Sequence, residues 1–243
     1  METTQYIATS HRSALNRQMN VIADNLANMN TTAYRGEKMI FQEYLQETQD
    51  GPGGKLSFVE DTTTYRRPEQ GPLEQTGNTL DVGIEGEGFF AVQTEDGERY
   101  TRAGNFTVNA DNELVTDQGN PVLDENGDAI QLPADGANVE ITKQGSIRTP
   151  DGEVAQLDLV SFEEPENLVR HAGELYEAGE DQEPQVADDA TVHQGMLEGS
   201  NVQSIKEMTK MMELMRSQQN AAKLAKQDHE MMLRAIRSLP GSN

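Results

Sequence analysis

The sequence contains no cysteine and no tryptophan, and only 5% of its residues are aromatic. The absence of cysteine excludes disulfide bonds, thiolate metal sites and cysteine nucleophiles, and it fits the cytosol or an exported protein that uses no disulfides. No apolar run approaches the roughly 18 residues that a membrane-spanning helix needs, so we predict no membrane insertion. The N-terminus shows no apolar segment followed by a small-residue cleavage site, so we expect no cleaved signal peptide.

Positive charge is also scarce, and the net charge of −23 is unevenly distributed. Residues 1–36 carry a net charge of +1 and residues 201–243 carry +3, whereas residues 37–200 carry −27. Closely packed helices avoid like charge, while a solvated outer domain tolerates it. A strongly acidic chain is also a poor partner for nucleic acid, which requires a basic surface. We therefore predict no nucleic-acid binding and an acidic, solvent-exposed middle region.

The C-terminal stretch predicts a long amphipathic helix. A helix over residues 201–239 would be about 58 Å long, so its apolar side needs a second long helix beside it. Ser200 and Gln203 predict a capping box at its start, and Pro240-Gly241 predicts its end. Its apolar residues follow an alternating three-four spacing, interrupted only by Gln218 and His229, which indicates one helix face: Met208, Met211, Met215, Ala222, Ala225, Met232, Ile236 and Leu239.

The expected partner of this helix lies at the other end of the chain. Residues 4–28 carry a short heptad seam formed by Leu15, Met19, Ile22, Leu26 and Met29. Alone, the pattern is typical of an ordinary amphipathic core helix, but two such helices at opposite ends favour a coiled pair. The helix should then end before Arg35-Gly36.

The region between the helices is predicted to be rich in strands. Residues 39–45 could continue as a short helix, Gly51–Gly54 is a loop, and strands are expected at 58–59 and 62–65. From Thr79 the apolar period changes to two, and Phe89–Val92 is a predicted buried strand. Hairpin signals recur at Asp96-Gly97, Ala103-Gly104-Asn105, Asp111-Asn112, Gln118-Gly119-Asn120, Asn126-Gly127 and Asp151-Gly152.

These patterns together predict an α+β fold. Long N- and C-terminal α-helices would pair as a coiled-coil-like core, with a central β-rich domain that is a sandwich or barrel-like. The expected domains are an N-terminal helical core segment at 1–36, a connecting segment at 37–78, a β-rich outer domain at 79–194 and a C-terminal helical core segment at 195–243.

No catalytic, cofactor or metal site is predicted. Glu85 and Glu87 would share a face if they lay on one strand, as a hydrolase carboxylate pair could, but no aromatic sugar platform accompanies them. The acidic turns at 109–113 and 124–128 could hold calcium, but they lack the spacing of an EF-hand loop and favour plain hairpin tips. The four histidines form no ligand pair at helical spacing.

Three motifs, taken in order, resemble the signatures of bacterial flagellar rod and hook proteins. The first is Asn20–Asn28 followed by Thr31–Gly36. The second is Gly77–Phe90, with Tyr100–Phe106 and Leu114–Thr116 after it. The third is Gln194–Val202, which leads into the predicted C-terminal helix. The resemblance covers both ends and the middle of the chain. Within the family, Tyr6-Ile7-Ala8 and Arg17-Gln18-Met19 are most like a proximal-rod subunit, with a distal-rod or hook-like subunit as the alternative.

The resemblance implies a non-enzymatic structural subunit that assembles with copies of itself and with other rod subunits. It further implies passage through the flagellar type III export apparatus to the basal body, and transmission of torque. An interface that does not close on itself generates a helical assembly, in which each subunit buries its apolar stripe against neighbours. A secreted cell-wall hydrolase is the alternative of a different class. The residues predicted to form the subunit interface are Leu15, Met19, Ile22, Leu26, Asn25, Asn28, Asn201, Met208, Met211, Met215, Met232 and Ile236.

Overall fold

The computed structural model describes residues 2–47, 55–133, 139–179, 182–187 and 189–238, most of which lie in short strands and turns between two helices. In chain order the elements are α1 (Glu2–Ala27), β1 (Glu37–Glu47), β2 (Lys55–Arg66), β3 (Leu73–Gln75), β4 (Val82–Glu85), β5 (Phe89–Thr94), β6 (Gly97–Thr101), β7 (Thr107–Val108), β8 (Leu114–Val115), β9 (Glu140–Ile141), β10 (Ser146–Thr149), β11 (Gly152–Gln156), β12 (Leu159–Ser161), a 3₁₀ turn (Pro165–Asn167), β13 (Val169–Arg170), β14 (Leu175–Glu177), β15 (Gln185–Val186), β16 (Thr191–Gln194), β17 (Met196–Glu198) and α2 (Ser204–Ser238).

The chain divides into two compact units. The first contains Met1–Ala27, Glu37–Tyr65 and Gln203–Asn243, and the second contains Asn28–Gly36 and Arg66–Val202. Over the described ranges, neither helix combines the length and the apolarity needed to cross a lipid bilayer.

A six-stranded antiparallel sheet forms the centre of the second unit, in the order β13-β14-β6-β5-β12-β15. Its central hairpin joins β5 to β6 with Thr94 opposite Gly97. Gly97 has a φ of 118°, a conformation that an L side chain rarely adopts, so the turn requires glycine here. The hairpin predicted at Asp96-Gly97 is therefore confirmed.

Strand β5 is buried on both faces, which explains its continuous apolar sequence. Phe90 and Val92 pack into one apolar cluster with Phe106, whose ring meets that of Phe90 edge-on at 5.0 Å. Phe89 and Ala91 point into a second cluster on the opposite face. A strand covered on both sides has no polar face to present to water, so the alternation expected of a half-buried strand disappears.

Smaller ladders bring the late part of the chain beside its middle. Strand β16 pairs antiparallel with β4, and β17 pairs antiparallel with β3. Strands β9, β10 and β11 form a three-stranded sheet, and β7 pairs with β8. The β16 and β17 pairings place Gln194 and Glu198 next to segments more than a hundred residues earlier.

The acidic turn at 124–128 is a hairpin tip, as the composition favoured. The Asp124 Oδ1 atom accepts hydrogen bonds from the backbone amides of Asn126, at 2.9 Å, and Asp128, at 3.0 Å. Such an Asx turn uses the carboxylate to satisfy the backbone of its own loop. Over the described residues, no group of three or more acidic or histidine side chains is arranged to hold a metal ion.

The prediction of a short helix at 39–45 is wrong, because these residues lie in β1. Residues 37–40 alternate between half-buried and exposed, which is the period of a strand with one covered face. The two strands predicted at 58–59 and 62–65 are one continuous strand, β2. The loop predicted at 51–54 falls outside the described residues.

The fold-class prediction is also wrong. Both terminal helices exist, but the chain between them is rich in strands arranged in several sheets, and the helices do not form a coiled-coil core. A coiled coil would bury the predicted methionine seam, yet Met208 is 43% exposed and Met215 is 42% exposed. One contact between the two helices is polar: the Nε2 atom of Gln218 donates a hydrogen bond to Oδ1 of Asn16 at 3.0 Å.

The reason for this error is the rotation of α2 about its axis. Its buried and half-buried positions include Glu207, Met211, Leu214 and Gln218, which follow their own three-four spacing. Two adjacent helix faces can both satisfy such a spacing, so periodicity does not decide which of them is covered. The helix also begins at Ser204 rather than Asn201.

The predicted capping box is absent from this helix start. Ser200 Oγ accepts a hydrogen bond from the Val202 amide at 3.2 Å. The backbone carbonyl of Gln203, not of Ser200, accepts the first helical bond, from Glu207 at 3.0 Å. The predicted stop at Pro240-Gly241 lies outside the described residues.

Asp158, between β11 and β12, is a half-buried carboxylate in an acidic neighbourhood. Burial, together with the negative charges of Glu98, Glu125 and Asp124, raises its pKa to about 6. The folded protein therefore holds a proton on Asp158 that the unfolded chain, with a pKa near 3.8, releases. The proton on Asp158 therefore favours the folded state. Its contribution to the free energy of unfolding is fully present below about pH 4 and is lost as the pH rises through about 6.

At neutral pH the ionised, half-buried carboxylate of Asp158 destabilises the fold, and replacement of Asp158 by asparagine should remove this cost. We expect Asp158→Asn to raise the free energy of unfolding at pH 7 by about 1 kcal/mol, after allowing for solvent screening of a half-exposed group. The gain should disappear at pH 4. Urea denaturation at both pH values measures the difference, with Asp151→Asn at the exposed β10–β11 turn as the control. An equal effect of Asp158→Asn at both pH values would contradict the assignment.

Candidate functional site

A buried ion pair joins the middle of the chain to the third motif. The Nε atom of Arg102 donates to Oε2 of Glu198 at 2.6 Å, and each side chain is only 1% exposed. Arg102 directly follows β6, and Glu198 is the last residue of β17. Removing two charges from water costs several kcal/mol per ion, so such a pair persists only if its other donors and acceptors are satisfied.

The remaining donors of Arg102 are satisfied by backbone carbonyl groups. Its Nη1 atom donates to Gly88 at 2.6 Å and to Gly86 at 3.0 Å, and its Nη2 atom donates to Ile84 at 3.3 Å. These carbonyls belong to the end of β4 and the turn that follows it. The guanidinium group therefore fixes the path of the chain between β4 and β5.

Glu198 connects to two further segments. Its Oε1 atom accepts a hydrogen bond from the Gly71 amide at 3.1 Å. Its backbone carbonyl accepts one from the Ala33 amide at 2.7 Å. The first motif, which contains Ala33, is thus bonded to the third motif, which contains Glu198, and the second motif supplies Arg102.

Close backbone approach limits which residues fit here. A Cβ atom on Gly71 would lie 1.8 Å from the carbonyl oxygen of Gly199, so only glycine is accommodated without moving the backbone. Ala33 is 1% exposed and has a φ of 58°, a left-handed conformation that costs roughly 1–2 kcal/mol for a residue with a Cβ atom. The surrounding hydrogen bonds hold Ala33 in this conformation.

Asn201 completes the same set of contacts. Its Oδ1 atom accepts from the Gly36 amide at 2.8 Å, and its Nδ2 atom donates to the Glu69 carbonyl at 2.7 Å. Its backbone amide donates to the Tyr34 carbonyl at 3.2 Å. We call Arg102, Glu198 and Asn201, with the backbone that they bind at 33–36, 69–71 and 84–88, the polar junction.

Asn25 has a comparable role in the first unit. Its Oδ1 atom accepts from the Glu37 amide and its Nδ2 atom donates to the Glu37 carbonyl, both at 2.8 Å. Asn25 is 1% exposed, and its amide copies the pair of bonds that a neighbouring strand would give to Glu37. The first residue of β1 is thereby fixed to the last turns of α1.

A row of exposed apolar side chains runs along the first half of α2. Ile205 is 77% exposed, Met208 43%, Met212 50% and Met215 42%. Their three-four-three spacing places them on one side of the helix. We call these four residues the methionine stripe.

The structure places the predicted interface residues in different environments. Leu15, Ile22 and Asn25 are buried, whereas Met19, Leu26, Asn28, Asn201 and Met211 are half-buried. Met208 and Met215 belong to the methionine stripe. Met232 and Ile236 lie on α2, but their side chains fall outside the described residues. Their role at a subunit interface stays a prediction.

The sequence analysis did not identify several residues that make important contacts in the structure. Arg102 and Glu198 lie within the recognised motifs, but nothing in the spacing of the chain pairs two residues 96 positions apart. Ile205 and Met212 were missed because they do not belong to the three-four series of apolar residues that was predicted for α2. A search for unpaired apolar residues on every helix face would have found them.

The possible carboxylate pair of a hydrolase is not formed by Glu85 and Glu87. Strand β4 ends at Glu85, and Gly86 turns the chain with a φ of 100°, so the two residues do not share a strand face. Glu85 instead contacts His193, with Oε2 and Nε2 separated by 2.7 Å. Glu87 is exposed to solvent.

Three family models match the chain in order. Residues 6–35 match "Flagella basal body rod protein", residues 83–149 match "Flagellar hook protein FlgE/F/G D1 domain", and residues 193–238 match "Flagellar basal body rod FlgEFG protein C-terminal". The class defined by the three matches is that of the flagellar rod and hook proteins.

Comparison with individual relatives shows which family within this class the chain belongs to. The chain is 36% identical to the flagellar basal-body rod protein FlgF of Caulobacter vibrioides and 35% identical to that of Mesorhizobium japonicum, and each alignment covers 98% of both chains. It is 32% identical to the rod protein FlgG of Buchnera aphidicola, over 87% of this chain and 90% of the relative. The chain therefore belongs to the FlgF family of flagellar basal-body rod proteins. As a member of this family, it is a structural subunit of the rod in the flagellar basal body.

The polar junction should be necessary for stability. We expect Glu198→Gln to lower the free energy of unfolding of the full chain by about 3 kcal/mol, because the Arg102 charge stays buried without a counter-ion. Urea denaturation measures the change. The control is Glu153→Gln, which alters an exposed ion pair with Arg148 and should cost less than about 1 kcal/mol. Equal costs for the two variants would show that the buried pair is not a special contributor.

Proposed function

We propose that this rod subunit assembles with neighbouring rod subunits through the methionine stripe of α2. The observation that supports the proposal is the exposure of four apolar side chains on one side of a helix. Single exposed apolar residues are normal, but a continuous row of them is typical of an interaction surface. The row lies within residues 193–238, which match the C-terminal model of the rod family.

The chemistry of the stripe suits contacts between subunits that are similar but not identical. Methionine is unbranched and polarisable, so it adapts to surfaces that differ slightly from one contact to the next. Completing the burial of each methionine would contribute about 1 kcal/mol, since roughly half of its surface is already covered. Several such contacts per subunit are needed for a stable interface, and a helical array supplies them repeatedly.

The distribution of charge supports the same arrangement. Residues 201–243 have a net charge of only +3, whereas residues 37–200 carry −27. Segments of low net charge can approach one another closely, while strongly acidic surfaces repel. In this proposal the exposed and half-buried members of the predicted interface contact neighbours, and most of the acidic β-rich region faces solvent.

The finer features of the proposal follow from the resemblance to rod proteins. The subunit occupies the proximal rod, reaches it through the flagellar type III export apparatus, and transmits torque without catalysing a reaction. The similarity to FlgF relatives over nearly the whole chain supports the proximal position. The separation of Glu85 from Glu87 supports a non-enzymatic role over a carboxylate-pair hydrolase.

A charge placed in the stripe should prevent assembly without unfolding the protein. We expect Met212→Asp to reduce swimming motility at least tenfold and to deplete the protein from purified basal bodies, because the carboxylate would be buried in the interface. Swimming assays in a complemented deletion strain and immunoblots of basal bodies measure both effects.

The matched control is Asn220→Asp, which adds the same charge at an exposed position of α2 off the stripe. This variant should swim normally. Circular dichroism of both purified variants shows whether they remain folded. Wild-type motility of a folded Met212→Asp variant would contradict the proposed interface.

A further inference from the structure

A small cleft in the second unit combines arginine side chains with apolar walls. It has a volume of about 40 Å³, and its lining includes Arg35, Arg102, Phe89, Phe162 and Pro165. An adjoining pocket shares Arg35, Phe89 and Pro165 and adds Arg66. A cavity that holds one water molecule has a volume of roughly 10–15 Å³, so the cleft has room for a group the size of a carboxylate.

The arginines of the cleft have donors that the described chain leaves unused. The Nε atoms of Arg35 and Arg66 are both buried and have no hydrogen-bond partner among the described residues. Arg66 uses its two Nη atoms to bind the Leu168 carbonyl, at 3.4 and 3.3 Å. Buried donors are rarely unsatisfied in folded proteins, because each loses its hydrogen bonds to water without gaining a partner.

None of the ion pairs formed by the described residues includes Arg35. Burial lowers the pKa of Arg35, and the positive charge of Arg102 lowers it further. Glu198 is nearby, but its two carboxylate oxygens bind Arg102 and the Gly71 amide. An additional negative charge in the cleft would offset the burial of Arg35 and its repulsion by Arg102.

Two other glutamates lie in the cleft or in the adjoining pocket, but neither neutralises Arg35. Glu87 lines the cleft and Glu166 lines the adjoining pocket, and both are exposed to solvent. Among the ion pairs of the described residues, neither is bonded to Arg35. Within the described part of the chain, no carboxylate therefore neutralises Arg35 directly.

We propose that the cleft binds a glutamate or aspartate side chain of a neighbouring rod subunit. This inference rests on the proposed assembly with neighbouring subunits. The guanidinium of Arg35 lines the cleft, and a guanidinium group can bind a carboxylate with two parallel hydrogen bonds. The rings of Phe89 and Phe162 provide an apolar wall for the methylene groups of the incoming side chain.

Charge explains why a protein carboxylate is the occupant. Residues 37–200 of this chain include 36 acidic residues, so a neighbouring copy presents many carboxylates to a cleft that is locally basic. A phosphate-like anion carries more charge and more acceptor oxygens than two unused donors can satisfy, and the apolar walls offer it nothing. A carboxylate matches both the size and the donors of the cleft.

A zero-length crosslink tests the contact directly. The Arg35→Lys variant places an amine in the cleft, and a water-soluble carbodiimide joins an amine only to a carboxylate that touches it. In purified basal bodies carrying this variant, we expect an amide bond between position 35 and an acidic peptide, in a species larger than the 26.8 kDa chain. Mass spectrometry identifies the peptide. Coupling only within the chain, to Glu87, Glu166 or Glu198, or no coupling at position 35, would overturn the proposal.

A second variant separates the contact from folding. We expect Arg35→Gln to melt within about 2 °C of the wild type or above it, because it removes a buried charge, and to reduce motility at least threefold. The control is Arg99→Gln, which removes a positive charge from the ion pair with Glu177 and should swim normally. Normal motility of a folded Arg35→Gln variant would overturn this inference.

The two proposals can fail separately. If Met212→Asp abolishes assembly while Arg35→Gln assembles normally, the stripe is an interface and the cleft is not. If both variants assemble normally, the proposed assembly surface itself is wrong.

Discussion

The second unit depends on one buried ion pair, between Arg102 and Glu198. Its desolvation cost is met by a nearly complete set of hydrogen bonds: three from Arg102 to backbone carbonyls and one to Glu198 from the Gly71 amide. Because the same residue, Glu198, also binds the Ala33 amide through its carbonyl, the first motif cannot separate from the third without exposing the pair. Segments far apart in sequence are therefore held in one place.

This arrangement explains why the family motifs occur where they do. The strand pairs β3–β17 and β4–β16 position Glu198 and Asn201 beside the residues that they bind, and α2 starts at Ser204, shortly after them. The helix then presents the methionine stripe, whose four apolar side chains are 42–77% exposed. An extensively bonded junction followed by a helix with an exposed apolar row is the combination that a subunit of an extended assembly requires.

Local features were predictable from the sequence, and long-range ones were not. The buried strand at Phe89–Val92 and the hairpin at Asp96-Gly97 were found because their signals lie within a few residues of one another. The inward face of α2 was assigned wrongly, since Met208 and Glu207 lie on adjacent faces that share the same spacing. Residues 39–45 were assigned wrongly because a short apolar segment fits helix and strand equally well. The pairing of Arg102 with Glu198 needs the sheet topology, which motif spacing does not contain.

Amide hydrogen exchange at Ala33 tests the central claim most directly. The account predicts that the Ala33 amide of the full-length wild-type protein is strongly protected, and that Glu198→Gln accelerates its exchange at least thirtyfold. The amides of Phe90 and Val92, in the buried strand β5, measure the accompanying loss of global stability. Unchanged protection of Ala33 in the Glu198→Gln variant would contradict the claim that the ion pair holds the first and third motifs together.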